Sequence, residues 1–143
     1  MSKLVRTLIR TPKAPLSIGP YNQAVKFNNV VYLSGVLGVD VKTNKLVTGG
    51  AAVEAKMVLT NMANILAAAG SGFDKVIKST VMLNDINDFA AVNEVYKQFF
   101  TKDFPARSTF QVGKLPAGAT VEIEAIAACG DVSTEVLDLS SKM

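Results

Sequence analysis

The sequence predicts an α+β fold, a two-layer domain in which two helices cover one face of a mixed β-sheet. Three observations carry this expectation. Apolar residues recur at helical spacing in two stretches, around residues 52–69 and 88–101. Strand-like runs flank them, giving the order strand, strand, strand, helix, strand, helix, strand, strand. Nothing in the 143 residues marks a repeat or a linker, so residues 1–130 read as one domain followed by a tail at 131–143.

Residues 4–10 form a short apolar strand, which Pro12 and Pro15 break into a loop reaching through Gly19-Pro20 to Tyr21. Two β-rich segments, Gln23 to Phe27 and Val30 to Ser34, flank Asn28-Asn29. Asparagine tolerates positive φ, so this is a tight hairpin. The second strand is expected to end at Ser34-Gly35, followed by a loop through Gly49-Gly50. In the first helix Ala55, Val58, Leu59, Met62, Ile65, Leu66 and Ala69 share a face, and Gly70 stands where a left-handed C-cap belongs. Lys75 to Leu83 reads as a strand with Ile77, Val81 and Leu83 on one face. Asp85, Asn87 and Asp88 offer cap oxygens to the second helix, whose stripe is Phe89, Val92, Tyr96, Phe99 and Phe100. The final pair, Phe104 to Val112 and Val121 to Ile126, is expected to form a hairpin around Leu115-Pro116-Ala117-Gly118.

Composition removes several chemistries. Histidine is absent, which excludes Ser–His–Asp triads, Cys–His pairs and His-based zinc sites. The single cysteine, Cys129, ends an apolar strand and reads as a small buried hydrophobe, in keeping with a reducing compartment. The net charge is +3 and the cations are spread along the chain, unlike the clustered patch of a nucleic-acid binder. No apolar run reaches membrane-spanning length. Lys3, Arg6, Arg10 and Lys13 faintly suggest a transit peptide, and Ser141-Lys142-Met143 loosely resembles a peroxisomal signal. Cytoplasm is the default expectation. A sheet with helices on one side leaves its other face to be covered, and strands rich in Ala, Val and Ile point to association between copies.

The chemistry concentrates in the last two strands. Alternation places Arg107, Thr109 and Gln111 on one face, and Glu122 and Glu124 opposite Val121, Ile123 and Ala125. Arg107 is either an ion-pair partner or a planar fork for a carboxylate ligand. Glu122 is either one of a solvated row of acids or a proton-transfer group whose pKa burial would raise. Tyr21 sits in a Gly-Pro loop rather than a periodic element, which favours an exposed functional position. Ser34 either ends a strand or lies, with Gly35, where a ligand approaches the backbone. Asn93, beside the second helix's stripe, reads on pattern alone as helix surface.

Four stretches then carry a resemblance: Phe104 to Ala128, Gly19-Pro20-Tyr21-Asn22-Gln23-Ala24, Val31-Tyr32-Leu33-Ser34-Gly35, and Phe89 to Tyr96. Together they resemble the RidA (YjgF) family, reactive intermediate deaminases that hydrolyse 2-imino acids such as 2-iminobutanoate and 2-iminopropanoate. The resemblance implies a chorismate mutase-like fold and a homotrimer with sites in the clefts between subunits. It implies that Arg107 binds the substrate carboxylate and Glu122 orients or activates water. Tyr21, Ser34, Gly35, Asn93 and Thr109 match the family's other site positions. Thr109 stands where many members have cysteine, so a thiolate role is absent here. No metal and no organic cofactor are expected. The rival readings are an endoribonuclease or translation inhibitor, and a non-catalytic metabolite-binding or chaperone-like module.

Overall fold

A computed structural model describes residues 3–142. Strand β1 (Thr7–Ile9) pairs antiparallel with β2 (Ala24–Phe27), which turns into β3 (Val30–Leu37). Asn28 and Asn29 both take positive φ, 52° and 62°, as a type I′ hairpin requires. β3 does not end at Ser34-Gly35. It continues to Leu37 through an irregularity between Leu33 and Val36, and both of those residues are buried. A bulge inserted there removes Ser34 and Gly35 from the core alternation, so the sequence pattern breaks before the strand does. The expected loop also contains a small hairpin, β4 (Val39–Asp40) with β5 (Lys45–Leu46), too short to register as alternation.

Helix α1 (Ala51–Ala68) buries Val58, Leu59, Met62 and Leu66 on the sheet. It closes as expected at Gly70, whose φ is 77°. Gly70 N donates to Ala67 O and Ser71 N to Leu66 O, the paired bonds of a Schellman motif. Strand β6 (Val76–Leu83) follows, with a register shift between Val76 and Lys78. That shift corrects the expectation for Ile77: Val76 takes the core position, and Ile77 is 52% exposed on the other face. Asp85 caps a single 3-10 turn at Ile86–Asp88, which leads into helix α2 (Phe89–Phe99).

The expected closing hairpin does not form. Strand β7 (Ala106–Gln111) pairs in parallel with β6, and β8 (Val121–Ala128) pairs antiparallel with β6 and β3. The sheet order is β1-β2-β3-β8-β6-β7, so β6 lies between the two strands thought to be partners. The reason is α2. Its apolar face, Val92, Val95 and Tyr96, packs into the core, and a helical crossover returns the chain parallel to the strand it left. β7 becomes an edge strand and leaves the other side of β6 to β8.

Both helices contribute to one core cluster with Val81, Leu83, Val121, Ile123 and Ala125, as a two-layer fold demands. The opposite sheet face carries Glu122 and Glu124, together with exposed Tyr32, Ile77 and Phe110. Glu54, in the first turn of α1, is buried and accepts from Thr120 N (2.9 Å) and Thr120 Oγ1 (2.7 Å). It thereby ties the helix to the start of β8. After Gly130 the described residues form no strand or α-helix, with one 3-10 turn at Ser140–Lys142, and residues 131–141 are exposed. Met143, the last residue of the peroxisomal-like tripeptide, lies outside the described residues. No helix among them is long and apolar enough to cross a membrane.

Candidate functional site

Arg107 leaves β7 on the helix-covered face. Its register partner on β6 is Ser79, which is buried beneath α2. Nη1 of Arg107 donates to Asn93 Oδ1 at 2.7 Å, and Cζ lies 4.7 Å from the Tyr96 ring centroid and 5.8 Å from that of Phe89. No carboxylate among the described residues lies within ion-pair distance of it. The ion-pair reading of Arg107 therefore fails within one chain, and the guanidinium is held by an amide and two aromatic faces. Asn93, expected to be a helix-surface residue on pattern alone, is its hydrogen-bond partner. Thr109 projects to the same side and joins Arg107, Asn93 and Tyr96 around a cavity of about 10 Å³, close to the room of one water. Thr109 Oγ1 is buried there without a hydrogen-bond partner.

Glu122 belongs to a different depression. A groove of about 700 Å³ is lined by Glu122 with Tyr21, Ser34, Gly35, Leu37 and Ala117. The carboxylate lies against the backbone of Gly35, where a Cβ would collide with it. Burial pushes the Glu122 carboxyl above the ordinary glutamate range, and the neighbouring Glu124 charge adds to the effect. Ser34 Oγ donates to Asn22 O at 2.6 Å, so this hydroxyl fastens the loop that carries Tyr21. Gln23 pins the other side of that loop, accepting from Thr11 N and donating to the carbonyls of Thr11, Ala14 and Pro15. Tyr21 is 48% exposed above these anchors. Ala117 takes a positive φ of 58° at the groove wall, a conformation with a steric cost for any residue bearing a Cβ.

The expected site residues thus assemble as two groups: Tyr21, Ser34, Gly35 and Glu122 in one, Asn93, Arg107 and Thr109 in the other. They occupy opposite faces of the sheet. Glu122 is paired with Met82 of β6, whereas Arg107 is paired with Ser79, and the odd shift along β6 reverses the face. A small ligand in one chain cannot touch both.

The sequence model of the family described as "Endoribonuclease L-PSP" matches residues 11–129. The chain belongs to the endoribonuclease L-PSP family. Within it, the chain is 56% identical over 137 residues to a cattle protein named "2-iminobutanoate/2-iminopropanoate deaminase", covering 96% of this chain and 100% of the other. It is similar to two solved structures, RidA from an Antarctic Psychrobacter species (43% identity, TM-score 0.82, 85% of this chain and 98% of that one) and Escherichia coli TdcF with bound serine. The latter likeness is 41% identity at TM-score 0.82, over 87% of this chain and 99% of that one. The α+β fold with its mixed sheet is that of L-PSP family structures.

For this L-PSP family chain, sequence reasoning missed three residues around the two groups. Tyr96 read as core stripe, yet the Arg107 cation rests on its ring. Gln23 read as the first residue of a strand, and Glu54 was not singled out at all. Burial of a polar side chain is what distinguishes Gln23 and Glu54, and no sequence pattern announces it.

Proposed function

We propose that this chain is a hydrolytic deaminase that converts 2-imino acids, including 2-iminobutanoate and 2-iminopropanoate, to 2-oxo acids and ammonia. The site is completed between copies of the chain in a homotrimer. The names of the relatives support the reaction. The observation that carries the site is the split itself: a cation with no carboxylate partner among the described residues on one face, and a carboxylate of raised pKa on the other. Each group lacks what the other supplies. Exposed Tyr32, Ile77 and Phe110 on the uncovered sheet face give a second copy apolar surface to bury.

Arg107 grips the substrate carboxylate through its free N–H donors while Asn93 holds one edge of the fork. From the adjoining copy, Glu122 takes a proton from water as the oxygen attacks the C=N carbon. The same carboxyl returns the proton to nitrogen, giving a carbinolamine. A second transfer, from the new hydroxyl to the amine through Glu122, lets the C–N bond break and releases ammonia and the 2-oxo acid. Positioned acid–base help of this kind is worth on the order of 10²–10⁴ in rate, and a raised pKa suits Glu122 to move protons in both directions. Serine in the E. coli TdcF structure shares with such a substrate an α-nitrogen beside a carboxylate. A lone, buried Cys129 suits a reducing compartment, and we place the enzyme in the cytoplasm.

The test is to generate 2-iminobutanoate from 2-aminobutanoate with an amino-acid oxidase and trap surviving imine with semicarbazide. Wild type is expected to suppress semicarbazone formation, and Arg107→Ala to leave it as in the enzyme-free control. Equal suppression by both proteins would contradict the assignment of Arg107.

A further inference from the structure

Tyr96 has no part in the reaction just described, yet it lies beneath Arg107 and is held by several contacts. It is 6% exposed and stacks on Phe100, with ring centroids 4.2 Å apart and planes inclined by 14°. Its hydroxyl meets Ser79 Oγ at 2.8 Å, and Ser79 is 1% exposed. The ring is thus backed by Phe100 and pinned at its para end, which restricts its tilting and sliding. Ser79 is also the register partner of Arg107 across β6 and β7. One rung of the sheet therefore fixes both the root of the arginine and the anchor of the ring beneath its guanidinium.

A planar cation 4.7 Å from an aromatic centroid is attracted by the ring face, and the plane of the ring limits how the fork can lie. We propose that Tyr96, locked by Ser79, is a positioning residue that sets the plane of the Arg107 guanidinium for two-point capture of a substrate carboxylate. Asn93 fixes rotation within that plane by accepting from Nη1 at 2.7 Å. Tyr96 and Ser79 act through Arg107 and touch no reacting atom. Burial holds the Tyr96 phenol above its ordinary pKa, so the platform stays neutral and does not become a counter-ion for the arginine. The inference rests on the deaminase reading, because it presumes that Arg107 binds a carboxylate.

The test is calorimetric binding of 2-oxobutanoate to the full chain, alongside kcat and KM for 2-iminobutanoate. Tyr96→Leu removes the platform and is expected to weaken binding about tenfold, between the scales of an exposed and a fully desolvated cation–π contact. Because that variant also opens a core cavity, Tyr96→Phe and Ser79→Ala serve as conservative partners that keep the packing and free the ring's para end. Each is expected to weaken binding roughly threefold, to raise KM more than it lowers kcat, and to have no effect in an Arg107→Lys background, where there is no plane to orient. Losses of equal size in the Arg107→Lys background, or wild-type binding by Tyr96→Phe, would overturn the proposal. If Arg107→Lys itself bound 2-oxobutanoate like wild type, the failure would lie in the deaminase site assignment instead.

Discussion

Arg107 and Glu122 owe their readiness to what surrounds them. A guanidinium bonded to Asn93 and seated on Tyr96 keeps its remaining donors free, while a carboxylate partner would have consumed them. Arg107→Lys is therefore expected to cost kcat/KM by about 10–100-fold despite conserving charge, since a point charge cannot make both bonds. Steady-state kinetics with oxidase-generated imine measure this directly. In the proposed reaction Glu122 acts in its base form, so kcat/KM is expected to rise with pH through a midpoint above the ordinary glutamate range. Removing the Glu124 charge lowers that midpoint: Glu124→Gln moves the acid limb toward lower pH, but not fully to the ordinary value, because burial is the larger cause. The raised pKa also has a stability sign. The folded protein binds this proton more tightly than the unfolded chain, so the cost is absent below the unfolded pKa and complete above the folded one. Glu122→Gln should then raise Tm at pH 7 and raise it less at pH 4.

At the scale of elements, the bulge in β3 and the first turn of α1 place the Glu122 group. Gly35 sits where the bulge turns its Cα toward the carboxylate of Glu122. Gly35→Ala is expected to displace that flexible carboxylate rather than the backbone, lowering kcat/KM about tenfold or more while Tm changes little. Glu54→Leu leaves Thr120 N and Oγ1 without a partner beside the start of β8. It should destabilise the fold by about 1–3 kcal/mol in chemical denaturation. Much of this scale was legible in the sequence. The Asn28-Asn29 hairpin, the Gly70 cap and the stripe of α1 follow from local rules that the fold does not contradict, whereas in α2 Phe89 is 40% exposed and Val95 takes a core place the stripe did not assign it. The β6 alternation failed at Ile77 because a bulge changes parity without changing composition. The β7–β8 hairpin failed because two strands joined by a Pro-Ala-Gly turn look adjacent whether or not a third strand lies between them. Only the packing of α2 decides that. The residues of the candidate site were legible as types and positions, whereas their division between two faces depended on this same topology.

Across the whole molecule, the proposed two-sided site requires that copies of the chain associate. β7 is an edge strand, paired on one side with β6 and open on the other among the described residues, and the uncovered sheet face exposes Tyr32, Ile77 and Phe110. The groove on the Glu122 side is flanked by Ile18, 94% exposed. A second copy presenting its β7 edge to this groove would bring one chain's Arg107 to the other chain's Glu122. Subunit mixing tests this most directly. Arg107→Ala and Glu122→Gln, each inactive alone, are unfolded together at equal concentration, refolded and assayed for imine hydrolysis. If each site draws one side chain from each of two copies, about one quarter of the sites in the mixture are intact, and activity returns to about that fraction of wild type. Activity no greater than that of the separate variants, in assemblies shown to contain both chains, would mean that the two residues do not meet across copies.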